Sequence, residues 1–80
     1  MAEAFMLIQT EVGRAEVVAA RLAELPGVLS AEYVTGPYDV VVRIGGQSLE
    51  ELRSGVVPHV QQVAGVTRTL TCPIAAEAHP

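Results

Sequence analysis

Three threonines alternate near the end of the chain, Thr67, Thr69 and Thr71, just after Gly65-Val66. In an extended strand alternate side chains share a face, so the three hydroxyls form one polar row while Arg68, Leu70, Cys72 and Ile74 face the other way. Such a row can line a polar pocket at a subunit interface, or it can be a half-exposed face of good β-propensity. A second segment, Thr35-Gly36-Pro37-Tyr38-Asp39, places a carboxylate at the mouth of the apolar run Val40 to Val42. Gly36 lets backbone amides approach a ligand closely. The Asp39 carboxylate can receive an ammonium group and exposed amides can receive a carboxylate, the two ends of a free amino acid. The same residues also suit a plain hairpin turn, with Gly36-Pro37 fixing the bend and Asp39 bonded to local backbone. Arg68 can balance Asp39 or a ligand carboxylate, or lay its stem along a rim. Gln61 and Gln62 are candidates for the same region, which spacing alone does not decide.

Other chemistries find little support. Cys72 is the single cysteine, which rules out an internal disulfide and a cysteine-rich metal site; it reads as a small strand hydrophobe. The histidines are His59, on a helix after Pro58, and His79, in the tail. No histidines or carboxylates share a metal-binding spacing, no Cys-x-x-Cys loop is present, and no glycine-rich loop is placed to cradle phosphate. No metal or cofactor is expected. The net charge is −4 with five Lys and Arg, so there is no basic stripe for nucleic acid, and the aromatics are only Phe5, Tyr33 and Tyr38. The N-terminus lacks the pattern of a signal peptide, and no apolar run approaches the roughly 20 residues that span a bilayer. The expectation is a cytoplasmic protein, off the membrane.

The elements that must position these residues follow from periodicity. Ala4 to Thr10 reads as a buried strand, and Arg14 to Leu25 as a helix with Ala15, Val18, Leu22 and Leu25 inward, stopped by Pro26-Gly27. Val28 to Thr35 and Asp39 to Ile44 read as an antiparallel hairpin about Gly36-Pro37. Ser48-Leu49-Glu50-Glu51 is a capping box: the Ser48 hydroxyl takes the Glu51 amide, and Glu51 reaches back to the Ser48 amide. The helix it opens carries Leu49, Leu52, Val56, Val60 and Val63 inward, with a kink or local break expected at Pro58. Thr67 to Ile74 is the last strand. The domain is placed at residues 1–74, with 75–80 a mobile tail.

The order strand, helix, strand, strand, helix, strand is the ferredoxin-like βαββαβ arrangement, an α+β fold with a four-stranded antiparallel sheet and both helices on one face. The halves match: Pro26-Gly27-Val28 and Ala64-Gly65-Val66 each turn from helix into strand. Half of the residues are apolar, generous for a chain that buries only about 60% of its unfolded surface. An uncovered apolar sheet face predicts a homodimer, sheet against sheet or edge against edge, as a sandwich or barrel-like assembly.

On these segments the chain resembles the Lrp/AsnC family. Thr35-Gly36-Pro37-Tyr38-Asp39-Val40 resembles the T-G-x-y-D turn of that family's effector-binding domain, and Gly65-Val66-Thr67-Arg68-Thr69-Leu70-Thr71 resembles its closing G-V-x-x-T-x-T strand. The resemblance covers about residues 4 to 74. It implies a RAM domain, whose dimers assemble into larger rings, often an octamer of four dimers, and which binds an amino-acid effector in clefts between subunits. Carried over on the matching positions, Gly36, Tyr38, Asp39, Thr67, Thr69 and Thr71 become the candidate ligand-binding residues. Pro37 stands where the family is more often polar or acidic, and it removes one backbone donor. Family regulators carry an N-terminal helix-turn-helix domain, whereas here a strand begins close to Met1. The resemblance therefore points to a stand-alone RAM protein that acts through partners, including co-assembly with full-length relatives. Two further readings remain: an interaction protein with a vestigial ligand site, and a small dimeric ferredoxin-like enzyme using Tyr33 or Tyr38.

Overall fold

The computed structural model describes residues 1–75 of the chain. Four strands and two helical segments follow the expected order. Strand β1 is Ala2–Thr10, helix α1 is Ala15–Leu22, and β2 (Val28–Tyr33) and β3 (Val40–Gly46) form the hairpin. The second helical segment runs through α2 (Leu49–Glu51), a π-helical stretch (Leu52–Val56) and α3 (Val57–Gln61), and β4 is Val66–Pro73. The sheet order is β2-β3-β1-β4, with every neighbouring pair antiparallel. Each helical segment thus crosses from one strand to the next but one, as the split βαβ fold requires. The proposed tail lies outside the described residues beyond Ala75.

One face of the sheet holds the core. Ala4, Met6 and Ile8 of β1 and Val40, Val42 and Ile44 of β3 are buried, and they meet Val18, Ala19 and Leu22 of α1 and Leu52 and Val60 of the second helical segment. This is the period of two along strands and of about 3.6 along helices meeting in one layer. The alternate residues of β1 and β3 stay uncovered. Leu7 sits opposite Val41 on one side and Leu70 on the other, giving an apolar row across three strands that none of the described residues covers.

Two local expectations need correction. Helix α1 ends at Leu22, three residues before Leu25. The Glu24 and Leu25 amides bond to Arg21 and Leu22, three residues back, so the last turn tightens before Pro26-Gly27. In the capping box, Ser48 Oγ accepts the Glu51 amide at 3.1 Å as expected. The Glu51 carboxylate instead accepts from the Gln47 amide. A Cβ at Gly46 would lie 3.0 Å from that carboxylate oxygen, so a glycine there leaves it room to fold over the strand end. The disturbance expected at Pro58 takes the form of the π-helical stretch just before it. The Val57 amide reaches five residues back to Leu52, a widened turn that leads into an imino nitrogen with no hydrogen to give.

Candidate functional site

Strand β1 runs toward the end of the sheet where the β2–β3 hairpin turns, since Ile8 pairs with Val40. Strand β4 starts at that same end, since Thr10 pairs with Val66. The two segments singled out in the sequence therefore flank the last residues of β1, one on each side.

The turn is fixed by its own backbone and by β1. The Val34 amide donates to the Asp39 carbonyl at 2.8 Å, and the Asp39 amide donates to the Ile8 carbonyl at 2.8 Å. Gly36 sits at φ +132°, which a side-chain-bearing residue rarely adopts. The Asp39 carboxylate accepts from the Thr10 amide at 2.8 Å. Its bond goes to β1 rather than to the turn's own backbone. Tyr38 and Asp39 are half-buried, while Gly36 and Pro37 are exposed.

On the other flank the β1–β4 register shifts between Gln9 and Thr10, so that Gln9 faces Arg68 and Thr10 faces Val66. Thr67 is left between them, and its hydroxyl donates to the Gln9 carbonyl at 3.1 Å. Gln61, at the end of α3, donates its amide to Thr69 Oγ1 at 3.1 Å. Gln61, Val66, Thr67, Arg68 and Thr69 line an open depression of about 320 Å³. Arg14 packs over Gly65 at the same end, with its Nε buried and unpaired among the described residues. Thr71 is set back from this end, opposite Met6 on β1.

The structure thus brings Thr67 and Thr69 into one polar depression and places Gly36, Tyr38 and Asp39 two strands away. Gln9 and Thr10 link the two groups, because Gln9 also donates its side-chain amide to the Pro37 carbonyl at 3.0 Å. They carry no sequence signal beyond being the polar close of an apolar strand. Arg68 does not pair with Asp39; among the described residues the ion pair is Arg43 with Glu3. Tyr33 is exposed on the outer strand β2. Among the described residues no three His, Cys, Asp or Glu side chains gather as metal ligands would, and no helix is long and apolar enough to cross a membrane.

Comparisons with known proteins agree with the fold. The family model described as the Lrp/AsnC ligand binding domain matches residues 3–78. The HTH-type transcriptional regulator FL11 of Pyrococcus furiosus is 35% identical over 68 residues, covering 85% of this chain and 44% of the regulator. The chain spans less than half the length of the curated relatives it matches. The crystal structure of TTHA0845 from Thermus thermophilus superposes with a TM-score of 0.85 at 36% identity, covering 100% of this chain and 99% of that one. A complex of the Neisseria meningitidis transcriptional regulator NMB0573 with L-Met shares the fold, with a TM-score of 0.78 at 20% identity over 99% of this chain and 53% of that one.

Proposed function

The chain belongs to the Lrp/AsnC ligand-binding domain family, and from that membership we propose that it is an oligomeric module that binds a free amino acid and acts on regulation through partners rather than by catalysis. The observation that carries the reading is the polar depression at the start of β4, where Gln61, Thr67 and Thr69 supply neutral hydrogen-bonding groups. An α-carboxylate suits hydroxyl and amide donors with a guanidinium close by, and Arg14, whose buried Nε is unpaired among the described residues, supplies a cation at that end of the sheet. The relative solved with L-Met supports the ligand class.

Adjacent strands lie roughly 4.8 Å apart, so Asp39, just before β3, and the depression on β4 are separated by about 10 Å within one subunit. One amino-acid head group does not bridge that gap. In this reading a ligand held by Gln61, Thr67 and Thr69 of one subunit meets the Gly36-to-Asp39 turn of another, so assembly is a condition of the complete site. The uncovered row of Val41, Leu7 and Leu70 is the surface for a first dimer, and higher assemblies, including mixed ones with full-length relatives, build on it.

Calorimetry against each of the twenty amino acids, into the millimolar range and at a protein concentration where the oligomer is intact, tests this. Heat of binding from one or a few of them is the expected result; flat traces from all would sink the proposal.

One observation favours a second reading, an interaction protein whose ligand site has lapsed. The Asp39 carboxylate is already spent on the Thr10 amide, and Pro37 withholds a donor from the turn. This reading predicts assembly and partner binding that no amino acid alters. Sedimentation with and without the amino-acid mixture separates the two.

A further inference from the structure

The last two residues of β1 do more than end a strand. Gln9 uses its backbone on one side and its side chain on the other. Its carbonyl accepts from the Thr67 hydroxyl at 3.1 Å, while its side-chain amide donates to the Pro37 carbonyl at 3.0 Å. Thr67 lies at the register shift of β4 and lines the depression; Pro37 is in the exposed part of the turn. Among the side-chain hydrogen bonds of the described residues, Gln9 alone takes part in one with each segment.

We propose that Gln9 is a positioning residue that couples the opening of β4 to the Gly36-to-Asp39 turn, so that a change at Thr67 is transmitted to Tyr38 and Asp39. The physical ground is the short covalent path between its two bonds. A shift of the Gln9 carbonyl toward or away from Thr67 rotates the Gln9 peptide, and the side chain carries that rotation to Pro37. The turn is also tied to β1 by the Asp39 amide on Ile8 and by the Thr10 amide on Asp39, but neither bond uses the Gln9 side chain. Those two bonds hold the turn in place; the Gln9 amide makes it responsive to β4. The use of this coupling in sensing rests on the ligand-binding reading above, because a ligand at Thr67 would then alter the turn that the same subunit presents to a neighbour.

The coupling is testable without any ligand. Amide chemical shifts of the full chain are recorded for wild type, Thr67→Val, Gln9→Ala and the double variant. Thr67→Val removes the hydroxyl that meets the Gln9 carbonyl. In the wild-type background it should shift the Tyr38 and Asp39 amides. In the Gln9→Ala background the same substitution should lose most of that effect. Gln9→Glu, close in shape but without the donor, should behave like Gln9→Ala and guards against a folding defect in one variant. Equal shifts in both backgrounds would assign any transmission to the Thr10 and Ile8 bonds and overturn the proposal, as would no shift at Tyr38 and Asp39 in the wild type. Flat calorimetry would end the ligand reading and leave this result untouched.

Discussion

The backbone amide of Thr10 donates to the carboxylate of Asp39 across 29 positions of sequence, at 2.8 Å and in a partly buried setting. A residue at the mouth of β3 therefore closes the end of β1. A hydrogen bond to an ionised acceptor contributes about 1.5–3 kcal/mol, and a half-buried donor left alone is costly. Asp39→Ala should lower stability by about 1–3 kcal/mol, and Asp39→Asn, which keeps an acceptor oxygen, by clearly less. Urea unfolding at one fixed protomer concentration measures both, since assembly contributes to apparent stability. Equal losses would mean that the Thr10 bond is not what the carboxylate supplies. The pair also sharpens any ligand test: Asp39→Asn removes the charge an ammonium group would meet while sparing the turn.

Gly27 and Gly13 form a matched pair for testing backbone against packing. Both have positive φ, +89° and +78°. A Cβ at Gly27 would stand 2.6 Å from Val56 Cγ2, whereas one at Gly13 would meet nothing within 4 Å. Gly13→Ala should cost only the left-handed backbone penalty of about 1–2 kcal/mol. Gly27→Ala adds a clash with the second helical segment and should cost about 1–3 kcal/mol more. Thermal unfolding of the two variants side by side gives the difference. If they melt together, the close approach of the α1–β2 turn to Val56 does not matter energetically.

The Ser48 cap offers a local test of how the second helical segment begins. Its hydroxyl holds the Glu51 amide at 3.1 Å, and removal of such a cap costs about 0.5–2 kcal/mol. Ser48→Ala should lose that much, and Ser48→Asp should retain most of it. Amide exchange at Glu51 should quicken in the alanine variant alone, since the bond lost is the one that protects it.

Much of the fold was legible because its signals are local. The runs Ala4 to Ile8 and Val40 to Ile44 alternate or cluster as strands do, and Pro26-Gly27 marks the turn from α1 into β2, although the helix proper ends earlier, at Leu22. The family resemblance likewise rested on contiguous residues and is met by the family match over residues 3–78. What the sequence hid depends on pairing register. Nothing in Gln9-Thr10 as a dipeptide says that a bulge will turn Thr67 toward one of them or that Pro37 and Asp39 will bond to both. The π-helical stretch was hidden for a similar reason: Pro58 announces a missing donor, but whether the chain kinks or widens depends on how Leu52 and Val60 must both reach the core. The likeness of Gly65-Val66 to Gly27-Val28 suggested two equivalent turns, and both glycines do prove crowded, Gly65 against Val18 and Gly27 against Val56.

The uncovered sheet face makes the strongest quantitative prediction. Leu7 is flanked directly by Val41 and Leu70, and Leu70 and Phe5 are 47% and 37% exposed in the single chain. Arg43 lies over the Phe5 ring at 5.4 Å and pairs with Glu3, which leaves the centre of the face apolar and puts charge beside it. If two copies meet on this face by a two-fold axis, each leucine is buried twice per dimer. Full burial of an exposed leucine is worth about 1.5–3 kcal/mol, and Leu70 is about half covered already, so the pair contributes about 1.5–3 kcal/mol. Leu70→Glu should therefore weaken self-association by about 10- to 10²-fold or more while leaving the core untouched, because Leu70 has no part in it. Sedimentation over a dilution series reads the mass, and far-ultraviolet circular dichroism confirms that the subunit still folds. Leu70→Ala should weaken association less than Leu70→Glu, since it removes contact without burying a charge. A variant that keeps wild-type mass at every dilution would show that assembly uses another surface, and the edge of β4 would then be the next to examine.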